Sequence, residues 1–410
     1  MKKKEQERPQ LTKENWVARF NLIGRPKITD FTFKLDEQST KSAYMYSRMN
    51  LGIDCGEKYG LIFTDTMGGY KTEGESTVLY AHGKDDNGKD DFTNQITVDW
   101  EDRFDEDVLD SIGDLSFFKV GLEKTKEGKT FTKKFLSQYD AIQYIAEHID
   151  EDMVVNVSGI LKFSEYQGRT QMKKEINSIF LSKVTDEADF KATFKLSVLI
   201  NKDSASLSKE NIDTDKGVMY VSGYVLDYVK ELYGVNVSGQ YPFAKDFEFK
   251  MDFSNQERCK KIVSKLFKVK KGYTQINFDG EFIEGGAVVA TTWDDVPEDI
   301  KELVEDYGLM TKEEALAKCA TGGNREQRMV LISPSIKPAQ NENELPSVQI
   351  FADRYSDDDI ELSIIQEERE EINDMSNVMS APEDSDDDSD SDDETKDDTV
   401  DDDMSWLDNL

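Results

Sequence analysis

The chain has 410 residues, 37% of them hydrophobic and 33% charged, and its formal net charge is −34. This length predicts two or three domains. No apolar run approaches the roughly 18 residues that a transmembrane helix needs, and no apolar stretch follows the basic start at residues 1–8, so we expect neither a membrane span nor a secretory signal.

Cysteine and histidine are both scarce. Cys55, Cys259 and Cys319 lie far apart and form no CxxC motif, which predicts free thiols in a reducing, cytoplasmic setting. The two histidines, His82 and His148, leave little material for a zinc site or a histidine-based catalytic centre. We therefore expect no metal and no other cofactor.

The negative charge is concentrated at the end of the chain. Residues 351–410 hold 25 acidic and 3 basic side chains, a net charge of −22, which leaves −12 for the first 350 residues. The body of the protein is thus only mildly acidic, and its basic residues can still form local clusters. A low overall isoelectric point does not exclude nucleic-acid binding by such a body.

The pattern of apolar residues predicts short strands with a few helices. Alternation marks residues 28–35 as a strand, helical spacing marks residues 137–148, and a turn at residues 166–169 joins two further strands. The two strands joined by this turn are residues 153–163 and 173–181, and the other predicted strands are residues 44–53, 60–64, 78–82, 95–100 and 116–123.

A weak internal repeat supports this division. Residues 32–35 recur at 193–196, and the pattern of residues 155–161 recurs at 276–282. In each copy the second segment directly follows a predicted helix, at residues 137–148 and 255–267, and the first copy carries an insertion of about forty residues. Three strands, a helix and two strands is the order of an OB-fold, a five-stranded Greek-key barrel. A generic α+β domain is the alternative.

The predicted fold is mainly β with some α: two OB-like five-stranded Greek-key barrels, a helical hairpin and a disordered acidic tail. Residues 381–403 are almost all Asp, Ser, Glu and Thr, which cannot bury enough apolar surface to fold. The predicted divisions are a basic N-terminal arm (1–24), OB-like domain 1 with its insertion (25–185), OB-like domain 2 (186–292), a helical segment (293–332), a linker with short elements (333–380) and the tail (381–410).

Two motifs that suggest catalytic or metal chemistry fail on inspection. Gly128 and Lys129 resemble the end of a phosphate-binding loop, but Glu123 stands where that loop needs glycine. The acidic stretch around Asn87-Gly88 resembles a calcium loop, but its first and last ligand positions are not carboxylates. Both motifs are better explained as hairpin turns, and we expect no enzymatic activity.

Aromatic and basic residues are interleaved on several predicted strands and turns. Single-stranded nucleic acid is held by this mixture, because bases stack on rings while Lys and Arg follow the phosphates. The alternative is that the rings are core and the lysines a solvated face. The candidate nucleic-acid-binding residues are Tyr44, Tyr46, Arg48, Phe131, Lys133, Lys134, Lys162, Phe163, Tyr166, Arg169, Lys173 and Lys174.

A second basic run lies near the predicted helix of the second copy. It comprises Lys260, Lys261, Lys265, Lys268, Lys270 and Lys271. On a helix, 261, 265 and 268 share one face. This run could contact phosphate, or it could dock the acidic tail of the same chain.

The tail ends in an apolar tip, Met404-Ser405-Trp406-Leu407, among aspartates. This ending resembles the tips of bacterial and phage single-stranded DNA-binding proteins, which join an acidic run to an aromatic residue, although Ser405 stands where the bacterial tip commonly has proline. The resemblance implies OB-folds, single-stranded DNA as a partner, and recruitment of replication and recombination proteins through the tail. The implied partner-binding residues are Asp401, Asp402, Asp403, Trp406, Leu407 and Leu410.

These observations predict a phage single-stranded DNA-binding protein that acts in DNA replication or recombination in the cytoplasm of an infected bacterium. No membrane partner is expected. The alternative is a phage scaffold or adaptor, or a DNA mimic whose acidic surface occupies a DNA-binding enzyme.

Overall fold

The computed structural model of the chain describes residues 8–166, 168–284, 327–339 and 344–365, together with residues 301, 304 and 312. These stretches are mainly β-strand, which confirms the predicted class. None of the helices that the structure describes is long and apolar enough to cross a membrane. The predicted acidic tail and most of the predicted helical hairpin lie outside the described residues.

The strands are numbered in chain order. They are β1 (Ala18–Lys27), β2 (Phe33–Gln38), β3 (Tyr44–Asp54), β4 (Leu61–Lys71), β5 (Val78–Lys84), β6 (Asp90–Asp99), β7 (Phe118–Lys124), β8 (Thr130–Phe135), β9 (Val155–Tyr166), β10 (Arg169–Leu181), β11 (Lys191–Ile200), β12 (Ile212–Asp213), β13 (Val218–Leu232), β14 (Val235–Lys250), β15 (Tyr273–Glu284), β16 (Gln327–Pro334), β17 (Ile336–Lys337), β18 (Ser347–Val348) and β19 (Ile350–Tyr355). The helices are α1 (Glu106–Ser111), α2 (Gln138–His148), α3 (Gln256–Ile262) and α4 (Asp357–Glu361).

Strands β1, β3, β4, β9 and β10 form the first barrel. β1 runs antiparallel to β9 and, at its end, to β3. β3 pairs with β4 and β9 pairs with β10. The ring closes where β10 meets β4, and there the amide of Ile176 donates to Thr66 Oγ1 at 3.0 Å. Helix α2 begins at its cap Ser137, as predicted, and buries Ile142 and Ile145 completely.

Residues 72–136 form an insertion between β4 and α2. It contains the hairpin β5–β6, helix α1 and the hairpin β7–β8, and β7 pairs in parallel with β10. The turns predicted at Asn87-Gly88 and Gly128-Lys129 are confirmed. Asp85 bonds Lys89 in one turn and Thr125 bonds Lys129 in the other. The insertion thus extends the sheet of the first barrel beyond β10.

Strands β11, β13, β14, β16 and β15 form the second barrel, and every neighbouring pair is hydrogen-bonded. β11 pairs with β13 and β15, β13 with β14, and β15 with β16, all antiparallel. A parallel pairing between β14 and β16 closes the ring. Helix α3 follows its cap Asn255 and continues as a π turn at Val263–Phe267, which confirms the helix predicted over residues 255–267.

The pairing of β1 with β11 joins the two barrels into one sheet. These strands run antiparallel with Phe20 opposite Phe194. On their other sides, Phe20 lies opposite Gly159 of β9, and Phe194 lies opposite Gly280 of β15. β1 and β11 therefore hold the same place in their barrels, and a pseudo-twofold axis passes between the two phenylalanines.

The two glycines leave room for the two rings. A Cβ atom on Gly159 would lie 1.9 Å from the Glu175 carbonyl oxygen and 2.8 Å from the Phe20 ring. A Cβ atom on Gly280 would lie 2.2 Å from the Phe194 ring. One hydrophobic core cluster runs beneath this junction and includes fully buried side chains of both barrels. Each such side chain stabilises the fold by roughly 1.5–3 kcal/mol.

The predicted repeat is right in one half and wrong in the other. Residues 155–161 and 276–282 lie in β9 and β15, which are equivalent strands. The predicted match of residues 32–35 with 193–196 is wrong, because the strand equivalent to β11 is β1 and not β2. Most of the strand predicted at residues 28–35 is loop.

Two predicted boundaries are also corrected. Residues 18–24 were assigned to a basic arm but form most of β1, because every second side chain from Phe20 onward is buried. The second domain was ended at residue 292, yet its closing strand β16 begins at Gln327. Within the predicted linker, the short elements expected there include β19 and α4.

We expect the substitutions Gly159→Ala and Gly280→Ala each to destabilise the protein by about 2 kcal/mol or more, because the added methyl group overpacks a rigid backbone or a buried ring. Gly239→Ala is the matched control, since its Cβ atom would meet only the Val237 carbonyl oxygen at 3.5 Å. Urea unfolding of the full chain measures all three. Equal stability of the Gly159 and Gly239 variants would contradict the packing described here.

Candidate nucleic-acid interface

Five basic side chains lie on adjoining strands at the outer face of the central sheet. Arg19 and Lys195 are directly opposite each other on β1 and β11. Both are exposed, because their neighbours Phe20 and Phe194 face the core. Antiparallel partners share a face of the sheet, so these two cations lie side by side at the junction of the barrels.

The band continues across the first barrel. Lys162 on β9 lies opposite Lys173 on β10, and Arg19 pairs with the residue two before Lys162. Lys173 Nζ is 3.6 Å from Asp65 Oδ2 on β4, and Arg48 NH2 on β3 is 2.9 Å from the same oxygen. We call Arg48, Lys173, Lys162, Arg19 and Lys195 the basic band.

The carboxylates near the basic band pair with some of its cations and not with others. Asp65 is shared by Arg48 and Lys173, and Asp279 pairs with Lys195 at 2.9 Å. Within the part of the chain that the structure describes, no carboxylate pairs with Arg19 or Lys162. Arg19 and Lys162 therefore carry positive charge that no described carboxylate pairs with, on a protein whose overall charge is strongly negative.

A groove of about 710 Å³ runs along the middle of this band. Arg19, Lys162 and Lys195 line it, and so do Trp16 and Lys13 of the segment before β1. Asp227 holds that segment in place, because its Oδ1 atom accepts from Lys13 Nζ at 2.8 Å. The groove thus combines three band cations with an indole ring.

Polar groups lie along the bottom of the groove. Asn21 Nδ2 donates to Ser158 Oγ at 2.8 Å, and both residues line the groove with Thr193. The indole nitrogen of Trp16 is buried and has no hydrogen-bond partner among the described residues. This floor offers donors and acceptors to a polar ligand, while Trp16 and the exposed Leu115 offer apolar surface.

The tip of the β9–β10 hairpin also remains accessible. Tyr166 is 52% exposed and lies opposite Arg169, which is exposed as well. Tyr233, at the turn between β13 and β14, donates to Glu165. The hairpins of the two barrels therefore meet at this end, beside the basic band.

The candidates on β8 lie elsewhere. β8 is two strands beyond β10 in the sheet, at its edge. Lys134 pairs with Asp114 at 2.8 Å, and Lys133 lies over the Tyr144 ring at 4.4 Å. Phe131 is 49% exposed. These three residues lie on the edge strand and do not line the groove.

Two predicted stacking residues are core residues, which corrects the sequence analysis. Phe163 is 4% exposed and packs in the main core cluster, and Tyr46 is 6% exposed. Phe163 occupies an inward-facing position of β9, and Tyr46 is covered although it shares a face of β3 with Arg48. Neither ring can therefore stack on a base. Tyr44, at the start of β3, is half-buried, and burial raises the pKa of its hydroxyl.

Lys174 is buried as well, against the prediction that it contacts phosphate on the surface. It is 7% exposed, on the inward face of β10, and its Nζ atom lies 5.1 Å from the Phe282 ring centre. Burial, and then the charge of Lys245, lower the pKa of Lys174 to about 8.

The second basic run is exposed. Its lysines lie along α3 and the turn that follows it, on the second barrel. The tail that this run could dock, with Asp401, Asp402, Asp403, Trp406, Leu407 and Leu410, lies outside the described residues. The two buried cysteines, Cys55 and Cys259, are free thiols. In the described residues, no cluster of His, Cys, Asp and Glu is suited to hold a metal ion.

Comparison with protein families gives one match. The model of a family described as YorF matches residues 75–299, more than half of the 410 residues. The chain belongs to the YorF family. In this YorF-family chain the matched stretch begins in the insertion and runs through β15, so it includes Lys162, Lys173 and Lys195 but not Arg19 or Arg48.

No curated protein matches the YorF-family chain. Among the solved structures that show a likeness to it are two of the single-stranded DNA-binding protein from Thermus aquaticus. The wild-type protein is 7% identical, with 80% of this chain and 97% of that chain covered and a TM-score of 0.30. A deletion mutant is 9% identical, with 66% and 87% covered and a TM-score of 0.28. Both TM-scores are too low to establish a common fold.

Sequence reasoning missed four side chains at or near this site of the YorF-family chain. Arg19 and Trp16 were assigned to an arm, although Phe20 and Leu22 alternate with polar residues as in a half-buried strand. Lys195 was noted only as part of a repeat. Phe63, which is 51% exposed, lies two residues before Asp65 on the same face of β4; the alternating pattern of β4 was the available signal.

The burial of Lys174 predicts a pH dependence of stability. Its folded-state pKa, about 8, lies below the value near 10.4 of an unfolded chain. The unfolded state therefore binds more protons between these values, and the free energy of unfolding should rise with pH there, by up to about 1.4 kcal/mol per unit. Chemical denaturation between pH 7 and about pH 10 measures it.

Lys174→Met is the control for this effect, because the equivalent position of the second barrel holds Met329, opposite Phe282. The variant should lose the rise and be the more stable protein at pH 7, since it removes a buried charge. A rise of the same size in both proteins would show that other groups cause it.

Proposed function

We propose that this protein binds single-stranded DNA along the basic band and the groove, in the replication or recombination of phage DNA, and recruits other proteins through its acidic tail. We assign it no enzymatic step. The observation that carries the proposal is the groove itself, in which Arg19, Lys162 and Lys195 stand beside Trp16 at the junction of the two barrels.

Charge supports a polyanion as the ligand. A protein with a net charge of −34 repels nucleic acid at long range. Two adjacent surface cations without a paired carboxylate, Arg19 and Lys162, are therefore best explained by an anionic ligand. Phosphates placed at the basic band would neutralise Arg19 and Lys162, which no described carboxylate does. Release of the counterions around the nucleic acid then contributes favourable free energy that falls as salt rises.

The aromatic residues favour single strands over duplexes. Trp16 lies in the groove, and Tyr166 and Phe63 are about half exposed on the same barrel. Unpaired bases stack on such rings, and each base contributes about 1–3 kcal/mol. Stacking of this kind requires no particular base sequence, so we infer binding with little sequence preference.

The strand order favours OB-like barrels as the framework. In the second barrel, three strands, a helix and two strands follow in sequence, and the third and last strands pair in parallel. The first barrel has the same order once the insertion is set aside. OB-fold barrels bind oligonucleotides on one face, and the repeat of this order suggests two such barrels joined through β1 and β11.

The double substitution Arg19→Ala with Lys162→Ala should weaken binding of the full chain to oligo-dT. It should also lower the slope of log affinity against log salt by about 0.7 for each lost phosphate contact. Fluorescence anisotropy across a salt series measures both quantities. Lys209→Ala is the control, because Lys209 is an exposed lysine in the loop between β11 and β12. An unchanged slope in the double variant would contradict a phosphate contact at the groove.

Deletion of residues 381–410 should leave oligo-dT binding intact or strengthen it. The deleted segment carries 15 acidic residues and one lysine, so it competes electrostatically with DNA for any basic surface. Anisotropy titrations of intact and truncated chains at low salt provide the comparison. If the truncated body does not bind oligo-dT at low salt, DNA binding is ruled out and an adaptor or DNA-mimic function of the acidic surface is favoured.

A further inference from the structure

Lys174 occupies a position that the fold would fill with an apolar side chain. It lies opposite Leu161 in the β9–β10 pairing, and the equivalent place in the second barrel is taken by Met329, opposite Phe282. The residues two before and two after it, Met172 and Ile176, pack into the core. A charged group at such a place destabilises the fold unless it is paired.

No partner for this charge exists among the residues that the structure describes. Among the described residues, neither a carboxylate nor a hydrogen-bond acceptor contacts the Lys174 ammonium group. The group lies over the face of the Phe282 ring, 5.1 Å from its centre. The buried polar atoms without a partner do not include Lys174 Nζ, so the ammonium group still touches solvent. The side chain is thus buried, and its charged end is not completely enclosed.

A second lysine approaches the same place from the other barrel. The Thr170 hydroxyl of β10 donates to the Ala244 carbonyl oxygen of β14 at 2.6 Å, which brings the two strands together. Lys245, the next residue, is half-buried and lies 6.0 Å from the Phe247 ring centre. Its charge is felt at Lys174 as a repulsion between like charges.

We propose that Lys174 and Lys245 form an anion site between the two barrels, distinct from the groove, that takes one phosphate group. The two ammonium groups lie beside aromatic rings, and no described acid pairs with Lys174. In such a low-dielectric environment an oxyanion would relieve the repulsion between the lysines and accept hydrogen bonds from both. The phosphate is either a phosphodiester of bound DNA or free inorganic phosphate. The first of these sources rests on the proposed function.

The first experiment uses inorganic phosphate and the full chain. Phosphate should raise the melting temperature of the wild-type protein above that in chloride at equal ionic strength, because a ligand that binds only the folded state stabilises it. Lys174→Met and Lys245→Met should each lose this rise, and Lys209→Met should keep it. If wild type shows no rise, or if Lys174→Met retains it in full, the anion site is refuted.

The second experiment asks whether DNA uses the site. With oligo-dT, Lys174→Met should bind about tenfold more weakly at low salt, in keeping with the loss of one charge-assisted contact, while Lys209→Met binds as wild type does. Weakening in this assay assigns the site to a DNA phosphodiester. A phosphate-dependent rise in melting temperature without weakening assigns it to free phosphate.

The two proposals fail separately. If wild type does not bind oligo-dT but phosphate stabilises it through Lys174, the DNA-binding function is lost and the anion site stands. If oligo-dT binding depends on Arg19 and Lys162 and not on Lys174, and phosphate has no effect, the function stands and the anion site is lost. Lys245→Met decides the case if Lys174→Met does not fold.

Discussion

The pairing of β1 with β11 is the constraint on which the rest of the molecule depends. It fixes Phe20 against Phe194, so both rings face the core and the alternate side chains Arg19 and Lys195 face outward. A register shift of one residue would turn the rings to solvent and the cations inward. The same pairing aligns the two barrels, so the groove and the site at Lys174 both follow from it.

The glycines opposite the two phenylalanines are part of this constraint. Gly159 and Gly280 allow aromatic rings to cross the neighbouring strand, where any side chain would meet a ring or a carbonyl oxygen. The junction is thus defined by two large residues and two small ones. This arrangement explains why the sequence repeat is detectable around residues 155–161 and 276–282, where backbone geometry restricts the choice of residue.

The sequence predicted the class, several elements and part of the candidate site. Strands β3, β9 and β10 and helix α2 were found because their apolar residues follow a clear period. β1 was missed because it sits beside a charged start, and β16 because it lies far along the chain from the other strands of its barrel. Such long-range pairings leave no local signal in a single sequence.

Burial explains which site residues could be predicted. Lys162, Lys173 and Arg48 are outward-facing, and interleaved charge was a fair guide to them. Phe163 and Lys174 lie on the same strands one position out of phase, and Tyr46 is buried although it shares the face of Arg48. The composition of a segment could not separate these residues from their neighbours. For Phe163 and Lys174, the phase of the strand relative to the core decides that the side chain packs inside.

Because both barrels belong to one chain, their pairing does not depend on protein concentration. Two separate subunits joined through such a strand pair would associate only at sufficient protein concentration, whereas covalent linkage gives each barrel a fixed effective concentration of the other, of millimolar order for a short linker. The paired sheet therefore survives dilution. A single chain also lets one half acquire an insertion, as residues 72–136 show, without the other half having to accommodate a second copy.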